Sequence, residues 1–350
     1  MRIPQEATVA SVSADVSREE WDAYADAHPD ASVYHQWAWR QVFERAFRHR
    51  TEYLAARDPY GRVVGVLPLV VFEHWLGGRF MVSLPFVNYG GVLADHETAA
   101  CALVEEAERR ARHYGLSHVE LRHTTPQIPE LPRLTHKVSM TLALESSAER
   151  AWEALDRKVR NQVRKAEKGG LTSEVGGAEL VPHFYNVFAE NMRDLGTPVY
   201  PEDWFAQILS RLPGQAAIVL VRDGEQPVAG ALTLTHRSSL EVPSAGSLRA
   251  YRSMSANMLL YWRVVQHAIA AGTRVLDFGR STPGEGTFKF KEQWGATPGP
   301  LTWEYVLLSR RALPDRNPKS ARFQQAIAVW KRLPLAVANR VGPAIVRFLP

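Results

Sequence analysis

The sequence predicts an α/β protein of mixed α+β layers, built from two tandem domains of related structure and a C-terminal basic helical tail. Two internal repeats predict the duplication. The first is a hairpin: residues 56–67 recur as residues 221–232, with the same Arg-Asp pair before the turn. Both copies predict a strand, a turn and a second strand.

The second repeat is a helix followed by a strand. A helical run over 98–114 ends at Gly115, and its counterpart over 256–271 ends at Gly272. Glycine favours the left-handed backbone that closes a helix, and a short apolar strand follows in both copies. Two repeats in the same order predict a duplicated α/β domain.

A proline-rich stretch over 123–134 marks the boundary between the copies, because its three prolines oppose regular structure. We therefore expect a first domain over 1–137, a second over 138–309 and a tail over 310–350. Ser147 is a suitable N-cap for the first helix of the second domain.

Composition indicates an ordinary globular chain. Of its 350 residues, 45% are hydrophobic and 23% charged. Cys101 is the single cysteine, so an internal disulfide is impossible and a reducing compartment is expected. The N-terminus lacks the features of a signal peptide, which predicts a cytoplasmic location. The longest apolar run, 63–72, is too short to span a bilayer as a helix.

The positive charge is concentrated in the tail. The net charge is +5, and residues 310–350 contain nine basic residues against Asp315 alone. This asymmetry predicts a polyanionic partner, either an anionic membrane surface or RNA. Apolar residues recur at helical spacing, which predicts short amphipathic helices on an anionic bilayer: Phe323, Ile327, Trp330, Val337, Val341, Ile345 and Phe348. The alternative is that these residues pack on the protein itself.

A basic helix is predicted over 149–168. Its apolar stripe consists of Trp152, Leu155, Val159, Val163 and Ala166. The residues off that stripe are Arg157, Lys158, Arg160, Asn161, Arg164, Lys165 and Lys168. Such a face is either solvated or a clamp for phosphate groups.

A candidate ligand loop, 280–295, follows the strand that ends at Asp277-Phe278-Gly279. Ligands of α/β sheets commonly bind after the carboxyl end of a strand. We expect Lys289 and Lys291 to share one face of an extended segment there, the alternative being a flexible surface loop. In the first domain, Leu84–Gly91 combines Asn88 and Tyr89 with paired glycines, which suits either a ligand contact or a plain turn.

Several classes of site are disfavoured. The sequence has neither a dinucleotide-binding nor a P-loop glycine motif, and its histidines lack metal-ligand spacing. Cys101 lies in an apolar helix and is interpreted as a core residue. The segment 252–257, which precedes a helix, contains no glycine. This argues against a backbone cradle for the pyrophosphate of acetyl-CoA.

These features together resemble the FemAB family. The resemblance covers roughly residues 30 to 309 and rests on the duplication, the basic helix around Arg160 and Arg164, Asp277-Phe278-Gly279, and Phe290-Lys291-x-x-Trp294-Gly295. It implies tandem GNAT-like domains and the aminoacyl-tRNA-dependent extension of peptidoglycan bridges. The sequence is also similar to the FemAB-like branch associated with PEP-CTERM/exosortase and exopolysaccharide gene clusters. The long coiled-coil arm of well-known members is missing, which puts tRNA as donor in doubt.

The resemblance implies an N-acyltransferase with no bound cofactor, in which an amine attacks an activated acyl group from aminoacyl-tRNA or acyl-CoA. Lys291 would stabilise the oxyanion, and Asp277 would orient or deprotonate the amine. The acceptor would be a nucleotide- or lipid-linked envelope or exopolysaccharide precursor, held in a cleft between the domains. Its expected contacts are Arg160, Asn161, Arg164, Asn88, Tyr89, Lys289 and Trp294. The alternatives are an acyl-CoA-dependent GNAT acetyltransferase and a non-catalytic membrane- or RNA-binding module.

Overall fold

The computed structural model describes residues 8–74, 78–309, 313 and 321–349. The chain divides into two compact units. Unit 1 consists of the residues up to His136 together with the segment that begins at Pro300. Unit 2 consists of Lys137 to Gly299 together with the C-terminal helices. The predicted α/β class with two GNAT-like domains is confirmed.

Unit 1 packs three helices on a sheet. Its strands are β1 (Ser11–Ser13), β2 (Arg50–Arg57), β3 (Val63–His74), β4 (Gly78–Val82), β5 (Leu93–Ala94), β6 (His118–His123) and β13 (Thr297–Leu307). The order is β1-β2-β3-β4-β6-β13, with β5 beside β3. Its helices are α1 (Arg18–Ala27), α2 (Ala38–Ala46) and α3 (Glu97–His113).

Unit 2 repeats this arrangement. Its strands are β7 (Arg133–Ala143), β8 (Leu171–Gly176), β9 (Ala216–Asp223), β10 (Gln226–His236), β11 (Ser239–Ser247) and β12 (Val275–Ser281), in the order β7-β12-β11-β10-β9-β8. Its helices are α4 (Ala148–Ala154), α5 (Arg157–Lys168), α6 (Val181–Leu195), α7 (Glu202–Arg211), α8 (Ala256–Ala270), α9 (Gly286–Glu292), α10 (Ala321–Trp330) and α11 (Leu335–Val346).

The same strand pairing in both units confirms the duplication. In each unit a single pair of neighbouring strands is parallel, β4 with β6 and β11 with β12, and the other described pairs are antiparallel. Both repeated hairpins, β2–β3 and β9–β10, have the predicted form. Gly115 and Gly272 adopt φ values of 62° and 72° after their helices, as the capping argument requires.

Two details differ from the sequence-based expectations. Residues 300–309 were expected in the second domain, but β13 pairs with β6 and completes the sheet of unit 1. The helix expected over 149–168 is two helices, because Leu155 is extended and Asp156 starts α5 by accepting a hydrogen bond from the Lys158 N–H over 2.6 Å.

The tail forms helices that pack on unit 2. Ala338, Gly342 and Val346 of α11 are buried, and α11 contacts α6. This agrees with the alternative in which the tail packs on the protein. Arg310, Arg311, Arg316 and Lys319 lie outside the described residues, as does the side chain of Phe323. Among the described residues, no helix is both long and apolar enough to cross a bilayer.

Candidate active site

The candidate site is built around an irregularity in β12. The register between β12 and β7 shifts between Asp277 and Arg280, so the strand bulges there. Gly279 lies inside the bulge with φ of 76°, a conformation that glycine adopts without strain. At this bulge, the carbonyl oxygens of Gly279 and Arg280 accept hydrogen bonds from one side chain.

That side chain is Lys291 of α9. Its Nζ donates to the carbonyl oxygen of Gly279 over 2.9 Å and to that of Arg280 over 3.1 Å. An ammonium group has three N–H donors, so these two contacts leave one for a ligand. The Lys291 side chain is held without an ion pair among the described residues, and only 7% of the residue is exposed.

Burial lowers the pKa of Lys291 to about 8. The loss of hydration is the largest cause, and Arg280 acts in the same direction, whereas the charges of Asp277 and Glu241 raise the pKa. At neutral pH the group therefore stays largely protonated and donates strongly, yet it loses its proton far more readily than a surface lysine.

Asp277 is fixed on the β7 side of the site. Ser139 Oγ donates to Asp277 Oδ1 over 2.6 Å, and the Gly279 N–H donates to the same oxygen over 2.7 Å. Asp277 is 4% exposed. It is the third residue of β12, which continues to Ser281, so Asp277 lies within the strand and not at its end as the sequence predicted.

Sequence reasoning missed a second buried carboxylate, Glu241. It lies on β11 directly opposite Asp277 in the parallel register and is 3% exposed. It also missed Lys137 on β7, whose Nζ donates to Thr282 Oγ1 over 2.5 Å and whose pKa is lowered by burial and by Arg280. The sequence offers no clue to Glu241, because only the pairing of β11 with β12 brings it to the site.

Lys289 does not share a face with Lys291, contrary to the extended segment that was expected. Residues 286–292 form the helix α9, in which residues two positions apart point about 200° apart. Lys289 is exposed and Lys291 is buried. Trp294, just beyond the helix, is 2% exposed and packs beside Tyr261 in the core of unit 2.

The basic helix α5 presents its cations as expected. Val159, Val163 and Ala166 are buried, whereas Asn161 and Arg164 are exposed and Arg160 is half-buried. The Arg164 guanidinium lies 5.3 Å from the Trp152 ring, a cation–π contact that orients it.

A cavity of about 460 Å³ in unit 2 joins the first turn of α5 to the end of α9. Its lining includes Lys158, Val159, Glu292, Gln293 and Trp294. The basic helix and the 280–295 segment thus meet at a cavity within one unit. Arg160 and Arg164 are not among its lining residues.

In unit 1, Asn88 and Tyr89 are placed differently from one another. Asn88 is buried, whereas Tyr89 is half-buried against Tyr34 and lines a cavity of about 280 Å³ with Arg122 and His123. The neighbouring Gly91 is required by the fold, because a Cβ there would lie 2.1 Å from the His123 ring.

Unit 1 has a different group at the position of Asp277. Glu120 lies on β6, which is parallel to β4, just as Asp277 lies on β12, which is parallel to β11. Arg122 forms an ion pair with Glu120 at 2.8 Å, and the side chains of both residues are 1% exposed. The carboxylate of unit 1 is therefore neutralised by its own arginine, whereas that of unit 2 faces a lysine from a separate helix.

Residues 154–292 match the sequence profile of the acetyltransferase (GNAT) domain family. The solved structure of FemX is similar, with a TM-score of 0.65 and 15% identity, over 84% of this chain and 96% of that one. The chain has a FemAB-like tandem GNAT fold.

Two further structures share this fold. The C-terminal domain of a putative lysylphosphatidylglycerol synthetase from Agrobacterium fabrum gives a TM-score of 0.56 at 13% identity, over 84% and 93% of the two chains. A tandem GNAT protein from the clavulanic acid biosynthesis pathway gives a TM-score of 0.51 at 12% identity, over 84% of this chain and 94% of that one. No curated protein matches the sequence significantly.

The matched GNAT domain contains the residues of the candidate site. Glu241, Asp277, Lys291 and α5 all lie within 154–292, in unit 2. Among the described residues, no group of histidine, cysteine and carboxylate side chains has the arrangement of a metal site. Cys101, in α3 of unit 1, is partly buried against the core, and burial raises the pKa of its thiol.

Proposed function

We propose that unit 2 catalyses N-acyl transfer, in which a substrate amine attacks an activated acyl carbonyl to form an amide. The observation that carries the proposal is the buried Lys291 ammonium, held by two backbone carbonyls at a β-bulge with one N–H left to donate. The GNAT match and the FemAB-like fold support an acyltransferase in general.

Lys291 would bind the developing oxyanion. The tetrahedral intermediate places a negative charge on the former carbonyl oxygen, and a donor already fixed there stabilises it without reorganisation. The two carbonyl acceptors hold Nζ in place before the substrate arrives. The low hydration of the site strengthens the interaction, since the charge of Lys291 is weakly screened.

Asp277 would accept the proton of the attacking amine. As the amine nitrogen bonds to the acyl carbon, its proton passes to the carboxylate and then to the leaving oxygen or sulfur, whose bond to the acyl carbon breaks. Glu241 opposes Asp277 across the parallel pair and adds negative charge that strengthens Asp277 as a proton acceptor. Glu120, the counterpart in unit 1, is paired with Arg122, so we assign the transfer to unit 2 alone.

The donor would be an aminoacyl ester on tRNA or an acyl-CoA thioester. Acyl-CoA remains a candidate although residues 252–257 contain no glycine. Ser255 adopts φ of 61° at the start of α8, and no side chain caps the first N–H groups of that helix. The first N–H groups of a helix bind phosphate. The acceptor would be the amine of a cell-envelope or exopolysaccharide precursor, with the cations of α5 as its contacts.

The experiment supplies the purified chain with acyl-CoA or with aminoacyl-tRNA, each with an isotope-labelled acyl group, and with envelope precursors bearing amines. Mass spectrometry then detects labelled amides. We expect one donor class to give product with the wild type and at least tenfold less with Lys291→Met. If neither donor reacts faster with the wild type than with Lys291→Met, the proposal is wrong and a non-catalytic binding module is favoured.

A further inference from the structure

The helix α11 has two apolar stripes that lie side by side, about 100° apart around the helix axis. Its inner face, formed by Ala338, Gly342 and Val346, is buried on unit 2. A Cβ at residue 342 would lie 3.0 Å from the Val199 backbone nitrogen, so the small residue is needed for this close approach. The inner face therefore accounts for only part of the apolar character of α11.

The outer face of α11 is formed by Ala336, Val337, Arg340, Val341, Ala344 and Ile345, all of which are exposed. Val337, Val341 and Ile345 are 42%, 40% and 37% exposed, and Leu349 beyond the helix is 47% exposed. The exposed face of a helix is normally polar. Contiguous apolar surface of this kind indicates an interaction site.

The charged residues of the C-terminal helices, and of the turn between them, have one sign. Lys331, Arg332 and Arg340 are exposed, and Arg347 is half-buried. Residues 321–349 contain no aspartate or glutamate. Apolar residues flanked only by cations are the pattern of a helix that lies in the interface of an anionic bilayer.

We propose that the outer face of α11, with Lys331, Arg332 and Arg340, docks on an anionic lipid bilayer. The helix has 12 residues and is thus about 18 Å long, which is too short to cross a hydrocarbon layer of about 30 Å, so it lies along the surface. A symmetric pairing with a second copy is disfavoured, because it would bring Arg340 against the cations of the other α11. The proposal is independent of acyl transfer.

The test is co-sedimentation of the full chain with vesicles of phosphatidylcholine alone or mixed with phosphatidylglycerol, at low and high salt. We expect binding to the mixed vesicles only, and weaker binding at high salt. The triple variant Val337→Ser, Val341→Ser and Ile345→Ser and the triple variant Lys331→Gln, Arg332→Gln and Arg340→Gln should each bind at least tenfold more weakly. The matched controls, which should bind as the wild type does, are Tyr60→Ser and the triple variant Arg45→Gln, Arg48→Gln and Arg150→Gln.

The substituted side chains are exposed, so circular dichroism and thermal unfolding should match those of the wild type. Equal binding to neutral and anionic vesicles, or serine variants that bind like the wild type, would overturn the proposal. It would also be overturned by a concentration-dependent dimer that the serine substitutions abolish, because the occupant of the face would then be a second copy.

Discussion

Lys291 Nζ lies 2.9 Å from the carbonyl oxygen of Gly279, so a lysine from α9 is bonded to the one residue of the β12 bulge with a left-handed backbone. Gly279 also donates its N–H to Asp277, which lies two residues earlier. Gly279 therefore contacts both the proposed oxyanion donor and the proposed proton acceptor.

Replacing Lys291 by methionine should keep the fold and lower kcat by about 10²-fold, the scale of losing one oxyanion donor. Methionine fills a similar apolar volume but provides no N–H. Arg150→Met, which removes an exposed cation from α4 of the same unit, is the control and should leave kcat within about twofold. Equal kcat for the wild type and Lys291→Met would remove Lys291 from the mechanism.

Activity should fall as the pH rises through about 8, because Lys291 then loses the proton that it donates. Glu241 raises the pKa of Lys291 and is not itself the proposed proton acceptor, so Glu241→Gln should move this alkaline limb to lower pH. The measurement is kcat against pH for the wild type, Glu241→Gln and Lys291→Met. A rate that rises through pH 8 in the wild type and stays level in Lys291→Met would instead make the neutral lysine the base.

The free energy of unfolding should depend on pH through the protonation of Lys291. Its pKa is about 8 in the folded chain and 10.5 ordinarily, so between these values the unfolded chain holds a proton that the folded chain has lost. The free energy of unfolding contributed by this group therefore rises with pH, by about 3 kcal/mol over the interval. Urea unfolding of the wild type and of Lys291→Met at several pH values measures the difference, which should grow in favour of the wild type only above pH 8.

Removing Arg122 should destabilise unit 1 by about 3–5 kcal/mol, because the Glu120 carboxylate then stays in the core without its cation. Arg122→Met combined with Glu120→Gln should recover much of that loss. The control is Arg109→Met, which breaks an ion pair at 2.6 Å on the surface and should change the stability far less. Similar losses in urea unfolding for Arg122→Met and Arg109→Met would show that the buried pair has no special structural role.

Much of the fold is predictable from local sequence. The repeated hairpins, the helices that end at Gly115 and Gly272, and the apolar stripe of α5 depend on contacts between near neighbours and on backbone preferences. The FemAB-like motifs likewise identify Asp277 and Lys291 from the sequence alone.

Long-range pairing decided the rest. Glu241 enters the site because β11 lies parallel to β12, and β13 joins unit 1 because it pairs with β6, although it follows unit 2 along the chain. Neither pairing leaves a periodic pattern, because strand partners are selected by packing across many intervening residues. The separation of Lys289 from Lys291 has a different cause: residues 286–292 form a helix, in which Lys291 reaches the carbonyl groups of the bulge and Lys289 is exposed to solvent.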